Sequence, residues 1–141
     1  MSPVSPIRLQ RSVTRLVVHL VWATARRFPC LPEAIDAELA SIVASASQRI
    51  GCRALGVGNA NDHVHVIAVH PPTLSVSELA RRLKGATSRE LAFRLPEGFA
   101  WQQGYFAESL GDPSAAIAYV RDQRRHHEDL NLVEPWEHAL S

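Results

Sequence analysis

Residues 52–70 read CRALGVGNANDHVHVIAVH, and the fold follows from how this stretch alternates. Two runs of strand-like composition, 52–58 and 63–70, flank Asn59-Ala60-Asn61-Asp62, whose side chains suit a tight reversal, so the segment is expected to form an antiparallel hairpin. Side chains alternate across a strand. His63 and His65 therefore point to one face of the second run, and Val64, Val66 and Ala68 point to the other. One face is core; the other presents two imidazoles.

Working outward, VTRLVVHLVW at 13–22 is rich in β-branched and apolar residues and reads as a first strand buried on both faces. Pro29 and Pro32 punctuate a connection, and Pro32 suits the first turn of a helix. Within that helix Ile35, Leu39, Ile42, Val43, Ala46 and Ile50 recur as one apolar stripe, which Gly51 terminates. Beyond the hairpin, Ser75 with Glu78 three residues later forms a capping box for a helix over 75–95, with Gly85 as a point of division. Residues 99–110 give a fourth strand around Tyr105 and Phe106. Gly111-Asp112-Pro113 is a turn, and 114–127 a last helix. The order is that of an α+β, ferredoxin-like (RRM-like) split βαβ sandwich, a four-stranded antiparallel sheet with an additional C-terminal helix.

A chain of 141 residues that is 46% apolar and 21% charged fits one domain with a self-sufficient core and excludes a disordered class. That domain is expected to span 1–141, with its core at about 13–127 and an acidic tail from 128. Cys30 and Cys52 lack the spacing of a zinc ribbon or disulfide framework, and no run approaches the roughly 18 apolar residues of a membrane span. The N-terminus has no apolar signal core, so the expected compartment is a reducing cytoplasm. Net charge is only +1, but cations cluster: Arg8, Arg11, Arg15, Arg26 and Arg27 precede any acid, and residues 81–94 hold Arg81, Arg82, Lys84, Arg89 and Arg94 against Glu90 alone. Such patches can neutralise phosphates while acids elsewhere balance the sum.

Two histidines at i and i+2 on one strand face are close enough to share a metal, although hydrogen-bonded histidines fit the pattern equally well. Tyr119 and Gln123, four apart, share a helical face. A phenol with pKa about 10 is almost wholly protonated at neutral pH, so as a nucleophile it needs a metal or base. Arg121, Arg124 and Arg125 beside it can hold phosphate or simply solvate the helix.

Taken in order, HLVWATARR (19–27), NDHVHV (61–66), SVSELARRLKGATSREL (75–91), WQQGYFAESLG (101–111) and AYVRDQ (118–123) resemble the single-tyrosine HUH transposases of small insertion sequences, over about 13–125. REP-associated tyrosine transposases share this core. The resemblance implies an enzyme that cuts and rejoins single-stranded DNA, with His63, His65 and Gln123 holding Mg²⁺ or Mn²⁺ and Tyr119 forming a 5′-phosphotyrosine. His126 and His127 are alternative ligands should Gln123 point away. It also implies recognition of DNA hairpins and a homodimer whose sites combine the His pair of one subunit with the Tyr helix of the other. The short turn at 111–113 would favour this by sending the last helix away from its own sheet. Candidate DNA contacts are Arg26, Arg27, Arg81, Arg82, Lys84 and Arg89. Trp101, Tyr105 and Phe106 are either base-stacking platforms or core, with core favoured by their apolar area. Two rivals remain: a non-catalytic single-strand binder on an RRM-like sheet, and a metal-dependent phosphodiesterase using water.

Overall fold

The computed structural model describes residues 4–9 and 12–128. Six strands and four helices run in the order β1 (Ile7–Leu9), β2 (Ser12–Thr14), β3 (Leu16–Ala23), α1 (Asp36–Arg49), β4 (Arg53–Asn59), β5 (His63–His70), α2 (Val76–Glu90), β6 (Phe106–Leu110), α3 (Ser114–Arg121) and α4 (Gln123–Glu128). Strands β3 to β6 form one antiparallel sheet in the order β4-β5-β3-β6, the split βαβ arrangement. The α+β, four-stranded reading therefore stands.

Alternation along β3 and β5 divides the interior into two layers. Val18, Leu20 and Trp22 of β3, with Val64, Val66 and Ala68 of β5, face α1 and α2 and form the main core. The α1 stripe of Leu39, Ile42, Val43 and Ala46 packs there, joined by Leu79, Ala80, Leu83 and Ala86 of α2. Burying each large aliphatic side chain contributes about 1.5–3 kcal/mol, so this layer dominates stability. On the opposite face Val17, Ile67 and Val69 meet Ala116, Tyr119 and Val120 of α3 in a smaller cluster. None of the described helices is long and apolar enough to cross a membrane.

Several boundaries differ from expectation, each for a local reason. The first strand does not run unbroken from 13: the chain leaves β-structure at Arg15, and residues 12–14 pair with β1 as a separate hairpin. A 3₁₀ turn, Glu33–Ile35, precedes α1. Gly85 does not divide α2, which is capped by the Ser75 hydroxyl accepting from Glu78 N–H at 3.1 Å and ends at Glu90. The fourth strand is shorter than 99–110. Gly104 sits at φ 86°, and the Lys84 ammonium donates to the Gln102 and Gly104 carbonyls, holding the segment as a loop until Phe106. Only Trp101, bridged to Thr24, extends the sheet earlier. The acidic tail from 129 onward lies outside the described residues.

The last helix departs most. It breaks at Asp122 (φ −113°, ψ 33°), giving α3 and α4, so Tyr119 and Gln123 are not on one continuous helix. Nor does the turn at 111–113 send it away, since α3 lies on β4 and β5 of its own sheet. Two glycines in β4 permit this approach. A Cβ on Gly58 would lie 1.5 Å from the Val120 carbonyl oxygen and 2.6 Å from its carbon, and one on Gly56 would lie 3.2 Å from a Val120 methyl. The helix backbone thus rests directly on the strand.

Candidate functional site

Because β5 alternates, His63 and His65 both emerge on the α3 side of the sheet, where they are fully buried, their ring centroids 5.0 Å apart. Tyr119 reaches this spot from α3, its ring edge-on to His65 at 6.2 Å. Gln123, the first residue of α4 and 1% exposed, places its amide nitrogen 3.5 Å from His63 Nε2. All four side chains singled out in the sequence therefore meet, within one chain. Tyr119 is buried as well, at 8% exposed.

Each histidine of the pair is held from behind. His63 Nδ1 donates to the Asp62 carboxylate at 2.6 Å, and His65 Nδ1 lies 2.9 Å from Nε2 of His19, a third buried histidine on β3. Asp62 also receives Arg27 Nε at 3.1 Å. Burial pushes the Asp62 carboxyl up, but hydrogen bonds from His63 and Arg27 outweigh it and hold the group below its ordinary value. Arg27 is delivered by an unusual backbone: Arg26 and Arg27 adopt φ of 59° and 57°, a left-handed conformation costing about 1–3 kcal/mol per non-glycine residue.

Among the described residues no set of three His, Cys, Asp or Glu side chains is arranged around a metal position. The donors at hand are two imidazoles and an amide. Nδ1 of His63 is committed to Asp62 and Nδ1 of His65 lies beside His19, while His63 Nε2 meets the Gln123 side-chain nitrogen; the two Nε2 atoms and, after a turn of that amide, its carbonyl oxygen are the donors that would hold a cation. This donor set fits a divalent ion. The side chains of His126 and His127 lie outside the described residues.

The sequence pattern places Asp62 only in a turn and His19 only in a motif, and it assigns nothing at the site to Asp36 or the β4 glycines. Arg124, there a phosphate candidate, instead clamps Asp36 at 2.6 and 2.9 Å and the Leu31 carbonyl at 2.7 Å, anchoring α4 to the start of α1. Asp36 also accepts from Asn59 at the end of β4. Arg121 donates to the Leu55 carbonyl and Arg125 pairs with Asp122. The Gly56-x-Gly58 spacing inside a strand was the available signal for a close backbone approach.

Of the DNA-contact candidates, Arg27 is joined to His63 through Asp62, whereas Arg26 lines a recess with Phe28 and Phe99. Arg81, Arg82, Lys84 and Arg89 are on α2, behind the sheet. Arg81 and Arg82 hydrogen-bond Glu78 and hold its carboxyl down at about 2, while partial burial lowers the Lys84 ammonium. Arg82 and Arg89 line, with Arg49 and Glu90, a recess of about 340 Å³ between α1 and α2. Trp101 is held by its indole N–H on the Lys84 carbonyl and Thr87 hydroxyl and stacks edge-on to Trp22, whereas Tyr105 is 41% exposed.

Residues 12–123 match the family described as "Transposase IS200 like". The chain is 24% identical to the ISDra2 transposase TnpA of Deinococcus radiodurans over 80% of this chain and 79% of that protein. It is 26% identical to the transposase for insertion sequence element IS200 of Salmonella typhimurium, over 74% of each. Among solved structures, a crystal structure described as a putative transposase from D. radiodurans superposes with a TM-score of 0.69 at 22% identity, covering 84% of this chain and 98% of that one. A REP-associated tyrosine transposase bound to a REP hairpin superposes at 0.59 and 12% identity, over 86% and 74%. Matched along most of its length and sharing the fold, this chain belongs to the IS200-like transposase family.

Proposed function

We propose that the chain cleaves and rejoins single-stranded DNA at the ends of a mobile element, using Tyr119 as nucleophile beside a divalent ion held by His63, His65 and Gln123. The observation that carries this reading is the meeting of all four side chains in one buried cluster, with Tyr119 against His65 and Gln123 against His63. Two imidazole nitrogens and a neutral amide oxygen do not discriminate strongly between Mg²⁺ and Mn²⁺. When bound, the cation supplies Lewis-acid stabilisation of charge on the scissile phosphate.

The residues perform the rest. Tyr119 Oη attacks phosphorus, and the bond to the 3′ oxygen of the departing strand breaks. The phenolic proton passes to solvent and the departing 3′ oxygen takes one up to leave as a 3′-hydroxyl, while the other strand stays on Tyr119 as a 5′-phosphotyrosine. Attack by a 3′-hydroxyl reverses these bond changes and rejoins DNA, so no nucleotide triphosphate is consumed. The low exposure of His63, His65 and Gln123 keeps bulk water off these side chains.

Arg26 follows β3 at the end of the sheet where Ala23 pairs with His63, and in this reading it meets the strand near the cut. The arginines of α2, with Arg49, form a separate cationic surface suited to the phosphates of a DNA hairpin. A homodimer with shared sites is part of this reading. Residues 111–113 connect the sheet to α3, so two chains exchanging α3 and α4 would rebuild every contact described within one.

The test incubates labelled hairpin-containing single-stranded DNA with Mn²⁺ and either wild type or Tyr119→Phe. A protein–DNA adduct that survives denaturation, present only with wild type, is expected. Cleavage without an adduct would favour the water-using phosphodiesterase. DNA binding with no cleavage under any divalent ion would favour a non-catalytic binder.

A further inference from the structure

His19 lies at the centre of β3, is fully buried, and belongs to neither the nucleophile nor the cation donors. Its ring is 5.1 Å from that of His65 and edge-on to Phe106 at 6.3 Å. An imidazole in the middle of a sheet is costly to bury unless its polar atoms are used. Here Nε2 sits 2.9 Å from Nδ1 of His65.

Resting on the metal-dependent reading above, we propose that His19 is a positioning residue which fixes the tautomer and orientation of His65. A neutral imidazole has one N–H and one lone pair. If His65 is to offer Nε2 to a cation, its proton belongs on Nδ1, which must then donate, and His19 Nε2 is the acceptor at hydrogen-bond distance. The same logic operates at His63, whose Nδ1–H donates to Asp62. The pair is thus backed by two different acceptors, a carboxylate on one ring and a neutral imidazole on the other. The carboxylate comes from the residue adjacent to its histidine; the imidazole comes from the neighbouring strand. It is the antiparallel register, with Val21 opposite His65 and His19 opposite Ile67, that sets His19 diagonally beside His65.

Outer partners of metal-binding histidines typically govern about 10–100-fold in affinity. Three proteins test the role: wild type, His19→Leu, which keeps an apolar body but no acceptor, and His19→Gln, whose amide oxygen restores one. Long-range ¹H–¹⁵N spectra of the metal-free proteins read the His65 tautomer, calorimetry with Mn²⁺ reads affinity, and thermal unfolding reads stability. His65 should carry its proton on Nδ1 in wild type and His19→Gln and lose that preference in His19→Leu. Mn²⁺ affinity should fall about 10–100-fold in His19→Leu and recover to within a few-fold in His19→Gln. A purely structural role would move the melting temperature and leave the tautomer alone, which would overturn the proposal, as would Mn²⁺ binding unchanged in His19→Leu. If His19→Leu does not fold, wild type alone decides: a proton on Nε2 of His65 overturns the assignment and one on Nδ1 supports it. Wild type that binds no Mn²⁺ overturns the metal reading itself, a result distinct from binding that is indifferent to His19.

Discussion

Gly58→Ala is the smallest change that reaches the site without touching it. The added methyl would sit 1.5 Å from the Val120 carbonyl oxygen, where real Cβ atoms keep at least 3.0 Å, so strand and helix must separate by about 1.5 Å. The opposing atoms are backbone, which no rotamer change can move aside. Val120 directly follows Tyr119 and lies three residues before Gln123, so the displacement carries the nucleophile and one cation donor together, away from His63 and His65 on β5. A misplacement of about 1 Å near reacting groups costs on the order of 10²-fold in rate. The α1 and α2 layer is untouched, and overpacking of this kind costs about 1–3 kcal/mol. Single-turnover adduct formation with Mn²⁺ should therefore slow by about 10²-fold or more in a protein that still unfolds cooperatively. Gly111→Ala, where nothing lies within 4 Å of the new methyl, is the control and should react normally. Wild-type kinetics in folded Gly58→Ala would refute the claim that close docking of α3 on β4 builds the site.

Three further outcomes follow from particular contacts. The Glu78 carboxyl sits at about 2 when folded against an ordinary 4.5, so its contribution is complete above pH 4.5 and lost as pH falls toward 2; Glu78→Gln should flatten that part of an acid-unfolding profile. By releasing Arg81 and Arg82, it should also tighten hairpin binding in a salt-dependent way, read by fluorescence anisotropy. Arg26→Gly relieves a left-handed residue and should raise unfolding stability by up to about 1 kcal/mol in urea titration while weakening DNA affinity, whereas unchanged stability would show that the turn is unstrained. Arg124→Leu cuts the clamp on Asp36, and because both side chains are partly solvated the loss in stability should be only about 1 kcal/mol. Adduct formation should suffer more, since α4 and Gln123 lose their anchor; a wild-type rate of adduct formation in Arg124→Leu would show that α4 needs no clamp.

The sheet, both layer-forming helices and the shared face of His63 and His65 were legible because period-2 and helical apolar patterns are local properties of a chain. What escaped depended on contacts between distant segments. The break at Asp122 arises where α4 is drawn toward α1 by Arg124 and Asp36, a pairing 88 residues apart that no local pattern encodes. The loop ahead of β6 is set by Lys84 reaching the Gln102 and Gly104 carbonyls, which makes 99–105 irregular despite strand-like composition. His19 stood in a quoted motif, yet its use emerged only when the register of β3 against β5 brought it beside His65. The length of the turn at 111–113 does not set the direction of α3; the glycines of β4 that receive the helix do.

The central claim is that the phenol beside the His pair is the group that takes up DNA. The chain has two tyrosines, the site residue Tyr119 and the exposed Tyr105, so proteolysis and mass spectrometry of the denatured adduct can tell them apart. The account expects the nucleotide remnant on the peptide containing Tyr119, attached through a 5′ phosphate and formed only with a divalent ion. A remnant on Tyr105, or cleaved DNA with neither tyrosine modified, would contradict it.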